Sequence, residues 1–504
     1  MKKTNNQHWH SLKSGRVFRI LSFLTAAFVI TAYSLNAKVT SGEKCGPDKM
    51  FAPGWEQSYQ AGYTDSKGKY AGGSEIMHLV GHKGKLYAAA GYWEDSRNIW
   101  YGGKDPNTGW GQILRLDKPG GKWEVDLDLG PQHLRPEILK SVTLTTDGKG
   151  NPLMEPVQLL ITSTYWGSGK GGITFFVRGD STGKWESNKI ISGDTGKRGE
   201  DNSVRAIRVY RDKVTGIDRI FISIGLLGIY SGVYDPEAPG KIRWDKKSES
   251  GPVESRPLAI IEANNSLLFS SGKRVYRRND GRSPTYTVVQ DLSDLLSGKV
   301  NQSVGGIRGL SAIPNPKGAG ESLLFAFAEG NRTRGCIYRL DPDGKGGYAR
   351  TQEICLDRLM SDYLNGNPVY FVLPAYNDIF PVVDPSTKET VHLIGFESWI
   401  GGNRYPTWRT DANGGFYAGA MYAIRDRNGK YRLTEVNGPS DDCKPVLVAL
   451  RAFTLSPFDQ DNGDTIYFGG FDANNRISHD TAWIFSTSLE NALRKDAPRA
   501  RFFK

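Results

Sequence analysis

The feature that most constrains this chain is a degenerate repeat. A short β-rich phrase, usually opening on a polar or charged residue, recurs with starts at Glu75, Leu139, Arg205, Arg256, Arg308, Asn377 and Arg451, and neighbouring starts lie 51 to 74 residues apart. After a polar turn each phrase is followed by a second apolar strand: Lys85–Gly91, Gln158–Ser163, Arg219–Gly225, Ser266–Ser271, Ser322–Phe327, Val391–Gly395 and Thr465–Gly470. A third strand closes most units, most clearly Ile113–Asp117, Val275–Arg278, Ile337–Asp341 and Met421–Ile424, and Trp123, Trp185, Trp244 and Tyr431 open fourth, edge segments. Such a unit cannot bury both faces of its sheet alone. Seven four-stranded units stacked radially can, and the pattern predicts an all-β fold, a seven-bladed β-propeller of four-stranded antiparallel blades.

A pair of β-sandwich domains would match the strand content but not seven copies of one four-strand phrase. Helical periodicity is confined to Leu489–Arg494, which argues against an α/β architecture, and sixty glycines serve the many turns. The expected organisation is a leader at 1–37, an N-terminal segment at 38–70, the propeller at 71–490 and a tail at 491–504.

The leader reading rests on a basic start followed by an apolar run. Lys2, Lys3, Lys13, Arg16 and Arg19 precede an apolar run of fourteen residues, Ile20 to Tyr33, with small residues at Ser34 and Ala37. This is signal-peptide patterning with cleavage near Ala37; an uncleaved anchor has the same look. Either way the propeller is expected to be exported, to the periplasm or beyond the cell. Removing the leader lowers the formal charge from +11 to +6. That balance, with no Lys/Arg block interleaved with aromatics, gives no support for nucleic acid as a partner. No later stretch reaches membrane length, so the mature chain reads as soluble and monomeric.

Four cysteines, all beyond the leader, fit an oxidising compartment. Cys336 and Cys355 flank the turn Asp341–Gly347 at nearly equal distances, as a cross-strand disulfide in a hairpin does. That leaves Cys45 and Cys443, which would staple the ring shut, although three pairings are open to four cysteines. None sits in a C-x-x-C pair or near histidines at ligand spacing, so no metal site is expected there. The turn Asp459-Gln-Asp461-Asn462-Gly463-Asp464 offers alternating oxygens of the kind calcium uses, but it equally suits a solvated hairpin, and no cofactor is assigned.

Function has to be read from the site, because propellers host many chemistries. The start of each innermost strand and the loop after the second strand share one face. The repeat alignment therefore gathers Glu75, Arg205, Arg256, Arg308, Asn377 and Arg451 around the channel. Four arginines at one level point to a carboxylate, sulfate or phosphate ligand, or to acids of neighbouring blades that tie the ring together. The second-strand loops add Trp93, Trp166 and Trp399 as a stacking surface, and the carboxylates Glu329 and Glu397 in adjacent blades. With Glu75 these are the candidate proton-transfer groups, since paired carboxylates of divided pKa serve acid and base roles. His78 and His479 lack ligand spacing. Two readings follow: an enzyme acting on an acidic carbohydrate or small carboxylate, and a non-catalytic platform for a glycan or protein. No motif ties the chain to a particular family.

Overall fold

Residues 54–92, 109–131, 133–164, 170–197, 199–296, 305–330, 333–363, 366, 368–374, 377–401, 415–417, 420–436, 449–471 and 480–495 are described by the computed structural model. Cys45, Cys443, Trp93, Trp166 and His479 lie outside these residues, as do residues 1–37, read above as a leader. Period-two alternation in the repeats gives strands with one face toward each neighbouring sheet, and the chain forms seven small antiparallel sheets arranged as a seven-bladed β-propeller.

Blade 1 runs Glu75–His82, Lys85–Gly91, Gln112–Leu116 and Glu124–Asp128, and blade 2 runs Pro136–Thr146, Pro152–Thr164, Ile173–Gly179 and Lys184–Ile191. Blade 3 consists of Val204–Arg211, Asp218–Ile224, Gly228–Tyr234 and Ile242–Trp244, and blade 4 of Ile260–Ala263, Ser266–Ser271, Arg274–Asn279 and Thr285–Asp291. Blade 5 is Gly306–Pro314, Glu321–Ala328, Cys336–Pro342 and Tyr348–Cys355. In blade 6 the first strand is broken into Val369–Pro374 and Phe380–Val383, both paired with the long strand Thr390–Gly401, which leads to Met421–Arg425 and Tyr431–Glu435. Blade 7 takes Ala449–Leu455, Thr465–Phe471 and Ala482–Ser488 from the end of the chain and its outermost strand, Glu56–Gln60, from the beginning.

That last pairing closes the ring. Backbone hydrogen bonds between Glu56–Gln60 and Trp483–Ser486 satisfy an edge that would otherwise be open. The N-terminal segment read from sequence as 38–70 thus contributes a propeller strand. The hairpin disulfide is formed: Cys336 and Cys355 stand opposite each other in register, 3.9 Å apart at Cα.

Each junction between blades has its own apolar core. Leu139, Met77, Tyr87 and Leu160 fill the space between blades 1 and 2, and Trp123, Tyr59, Ile76 and Ile484 that between blades 7 and 1. The C-terminal helix is Leu489–Leu493, capped by Ser488, whose Oγ accepts from the Asn491 N–H at 3.1 Å. A second helix, Leu356–Tyr363, which the strand repeat does not signal, buries Leu356 and Met360 between blades 5 and 6. No helix among the described residues is long and apolar enough to cross a membrane.

Candidate functional site

The first strands line the axis, and all but one of them are irregular near its loop-bearing end. Register shifts fall between Ile76 and His78, Pro136 and Ile138, Val204 and Ile207, Arg308 and Ser311, and Leu450 and Ala452, and in blade 6 the strand is interrupted. A bulge inserts an extra residue and turns its side chain away from the alternation. In blades 2, 3 and 7 the residues at the shift include Glu137, Arg205 and Arg451, whose charged groups join one buried cluster.

Glu75 is the hub of one half of the cluster. Its carboxylate accepts from Arg135 Nη1 at 3.2 Å and from Arg451 Nη1, whose guanidinium also lies over the Phe471 ring at 4.3 Å. Glu137 is the hub of the other half, bound by Arg135 Nε and by Arg205 Nη1 at 2.9 Å. Arg135, with no exposed surface, bridges the two carboxylates. Asn377 Oδ1 accepts from Arg205 at 3.5 Å, and its amide donates to the carbonyls of Met77 and Arg451, tying blade 6 to blades 1 and 7. Arg256 Nη1 donates to Ser203 Oγ at 3.4 Å. Arg308 is buried and acts electrostatically on Glu397 together with Arg451 and Glu75.

Two glycines make room for Arg135. A Cβ on Gly91 would stand 2.6 Å from the Arg135 Cβ and 3.0 Å from a Glu75 carboxylate oxygen, and one on Gly111 would stand 2.8 Å from the Arg135 Cα.

Burial and charge divide the carboxylates. Burial alone would push the Glu137 carboxyl up, but Arg135, Arg205 and Arg256 outweigh it and hold the group down at about 2. For Glu397 burial wins: the carboxyl is pushed up, assisted by Glu75, although Arg451 and Arg308 oppose the shift. Burial also lowers His78 to about 4, against the pull of Asp378, and its Nε2 lies 3.0 Å from the Glu137 carbonyl oxygen. His78 is therefore a neutral member of the inner wall.

The structure brings Glu75, Arg205, Arg256, Arg308, Asn377, Arg451 and Glu397 to one end of the axis, and adds Arg135 and Glu137, which the repeat alignment missed. That alignment put Leu139 at the blade 2 position; Leu139 instead packs between blades 1 and 2, and Glu137, the bulge residue, faces the axis. Glu397 stands within a strand, opposite Leu373, rather than at the start of a loop. Glu329 directly follows the second strand of blade 5 and is half-buried. Trp399 pairs through its backbone with Phe371 and Tyr417.

Two further segments are ordinary turns. Gly179-Asp-Ser-Thr-Gly183 matches a Gly-x-Ser-x-Gly string, yet it is the exposed turn between the third and fourth strands of blade 2, not a strand-to-helix elbow. In the turn Asp459–Asp464, Asp461 accepts from Ser456 Oγ at 2.5 Å, and no group of three potential ligands for a metal ion occurs among the described residues.

No protein-family model matches the chain, and no curated protein is similar to it in sequence. Solved structures match the chain at low identity. A fungal alcohol oxidase in complex with copper is 14% identical over 88% of this chain and 78% of its own, with a TM-score of 0.45. A Dyadobacter fermentans protein of unknown function is 12% identical over 86% of this chain and 100% of its own, with a TM-score of 0.37. A protein carrying the provisional name gluconolactonase is 10% identical over 87% of this chain and 94% of its own, with a TM-score of 0.35.

Proposed function

We propose that the loop-bearing end of the axis binds an anionic ligand, an acidic carbohydrate or a small carboxylate, over the arginine cluster. The observation that supports this reading is the convergence of five buried guanidiniums, Arg135, Arg205, Arg256, Arg308 and Arg451, beside the three carboxylates of Glu75, Glu137 and Glu397. Buried positive charge is costly, and an anion offering several acceptors is the chemistry that planar donors held in place by bulges and ion pairs recognise best.

In this reading the residues have unequal tasks. Glu75 and Glu137 hold arginines in position and are committed to them. Arg308 and Arg256 face the ligand. Glu397, whose carboxyl burial pushes up, is the group suited to hand over a proton if the protein is an enzyme. The mutual Arg–Glu bonding also suits a platform that binds without catalysis, and that remains the second reading. The hairpin disulfide fits an exported protein.

A thermal-shift screen of sulfate, phosphate, citrate and galacturonate on the wild type and on Arg308→Ala tests the proposal. A ligand that binds the folded state raises Tm. A rise with one anion class in the wild type that disappears in the variant is the expected result; no rise with any anion would overturn the small-molecule form of the reading.

A further inference from the structure

The channel behind the ring carries charges that the ring does not use. From the ring to the turns joining first and second strands, the inner strands enclose a cavity of about 640 Å3 to which all seven blades contribute. That volume falls in the range of small-ligand sites.

Its charges are placed by register. Lys140 and Arg208 each stand three residues beyond the bulge residue of their strands, Glu137 and Arg205, and pair outward with Ile161 and Phe221. They therefore occupy the same rung of adjacent inner strands, in blades 2 and 3. Val80, Ala312 and Thr454 fill that rung in blades 1, 5 and 7, so it has a charged side and an uncharged side. Both cations are exposed in the cavity, and no ion pair or side-chain hydrogen bond engages either among the described residues.

Three acids line the cavity: Glu262 of blade 4, paired with Lys213 at 3.3 Å, Glu321 of blade 5, which accepts from the Asn264 N–H at 2.7 Å, and Asp378 on the wall opposite Lys140 and Arg208. Asp378 is exposed in the break between the two halves of blade 6's first strand, and in a ring of seven blades the sixth faces the junction of the second and third. It too makes no ion pair or hydrogen bond among the described residues. His78, Arg205 and Asn377 form the inner end, while Ile207, Ile260 and Phe380 supply apolar wall between the charges.

A bare anion would meet Asp378 across the channel and a bare cation would meet Lys140 and Arg208. A molecule with separated opposite charges meets both walls favourably, in a confined space where charge complementarity weighs more than in open water. We propose that this channel binds a small amino-acid-like zwitterion, its carboxylate between Lys140 and Arg208, its ammonium toward Asp378 and its apolar part on Ile260 and Phe380. The site lies beyond the arginine ring and does not depend on the ligand proposed there.

Isothermal titration of the full chain with leucine and phenylalanine, and with isocaproate and isopentylamine, which each lack one charge of leucine, tests it. Leucine or phenylalanine should bind, and isocaproate and isopentylamine should bind about tenfold more weakly or not at all. Lys140→Gln and Arg208→Gln should each weaken amino-acid binding by about tenfold. Asp378→Asn should abolish the preference of the site for leucine over isocaproate. Because these three side chains make no hydrogen bond or ion pair among the described residues, the variants should keep the wild-type Tm. Three outcomes would overturn the proposal: neither amino acid binding at millimolar concentration, isocaproate binding as tightly as leucine, or binding lost in Arg308→Ala but kept in Lys140→Gln, which would move the ligand to the ring.

Discussion

Arginine and carboxylate meet in two regions of this propeller, on the axis and at the seams between blades, and the two arrangements differ in layout. At three seams a third-strand arginine reaches an acid of the preceding blade, and an aromatic residue on the arginine's own fourth strand donates to the same acid. Between blades 1 and 2, Arg178 Nε and Trp185 Nε1 each bind Asp126 at 2.8 Å. Between blades 3 and 4, Arg278 Nε binds Glu249 at 2.6 Å and Tyr286 donates to the same carboxylate at 2.5 Å. Between blades 5 and 6, Arg425 grips Glu353 in bidentate fashion at 2.7 and 2.8 Å, with the Tyr431 hydroxyl at 2.6 Å. Acids match or outnumber cations in the Arg278 seam, where Asp212 and Asp280 also bind the guanidinium at 2.6 Å. On the axis, among the described residues, five buried guanidiniums gather beside the carboxylates of Glu75, Glu137 and Glu397. The same residue types form clamps of an arginine, an acid and an aromatic donor between blades, and a cluster of several arginines and carboxylates on the axis.

The sharpest way to break this comparison is Arg278→Ala. It leaves three buried or half-buried acids facing one another and should cost about 3–5 kcal/mol in urea unfolding, while the anion-induced Tm shift survives. Loss of that shift would mean that seam and ring are not separate devices.

Acid should expose the difference next. Glu137 is held at about 2 by the arginines around it, and Asp212 is held at about 2 because Arg278 and backbone N–H groups outweigh burial. Their folded values lie below the roughly 4 of free carboxylates, so their contribution is complete above that value and is lost as pH falls toward 2. Glu397 has the opposite sign. Its carboxyl is raised in the fold, so stability is lost as pH climbs through its folded value. Glu397→Gln should therefore stabilise the protein at pH 7 and leave it unchanged at acid pH, as measured by urea unfolding across pH; equal effects at both ends would refute the assignment.

Reduction of Cys336–Cys355, whose cysteines are 19 residues apart, should cost about 3 kcal/mol through chain entropy. It acts at a single hairpin and should leave the anion response intact. The smallest effect expected is that of Tyr431→Phe or Tyr286→Phe, about 1 kcal/mol each for the lost hydroxyl bond, readable as a small fall in Tm. A null result in both would reduce the aromatic member of the clamp to packing.

The blades were legible in the sequence because a β-strand repeats its chemistry every second residue and a propeller repeats its strands. The second and third strands at Lys85–Gly91 and Ile337–Asp341 coincide with the structure almost residue for residue, and Cys336 does pair with Cys355. The ring was legible through Glu75 and four of its arginines. What escaped was what a bulge does to alternation. A one-residue insertion at Glu137 moves that side chain to the axis and leaves Leu139, the residue that matches the repeat phrase, in the seam. Arg135 escaped because it precedes the strand, in space cleared by Gly91 and Gly111 from another blade. Closure by Glu56–Gln60 escaped because a lone edge strand has no repeat partner nearby in sequence.

The central claim is that the axial arginines form a receptor, and an anomalous difference map from a crystal of the full chain soaked in tungstate tests it most directly. The account predicts a peak in contact with Arg308 and Arg256 at the loop-bearing end of the axis, and none at the Arg278 or Arg425 seams. An empty ring, with tungstate bound only at surface lysines, would contradict it.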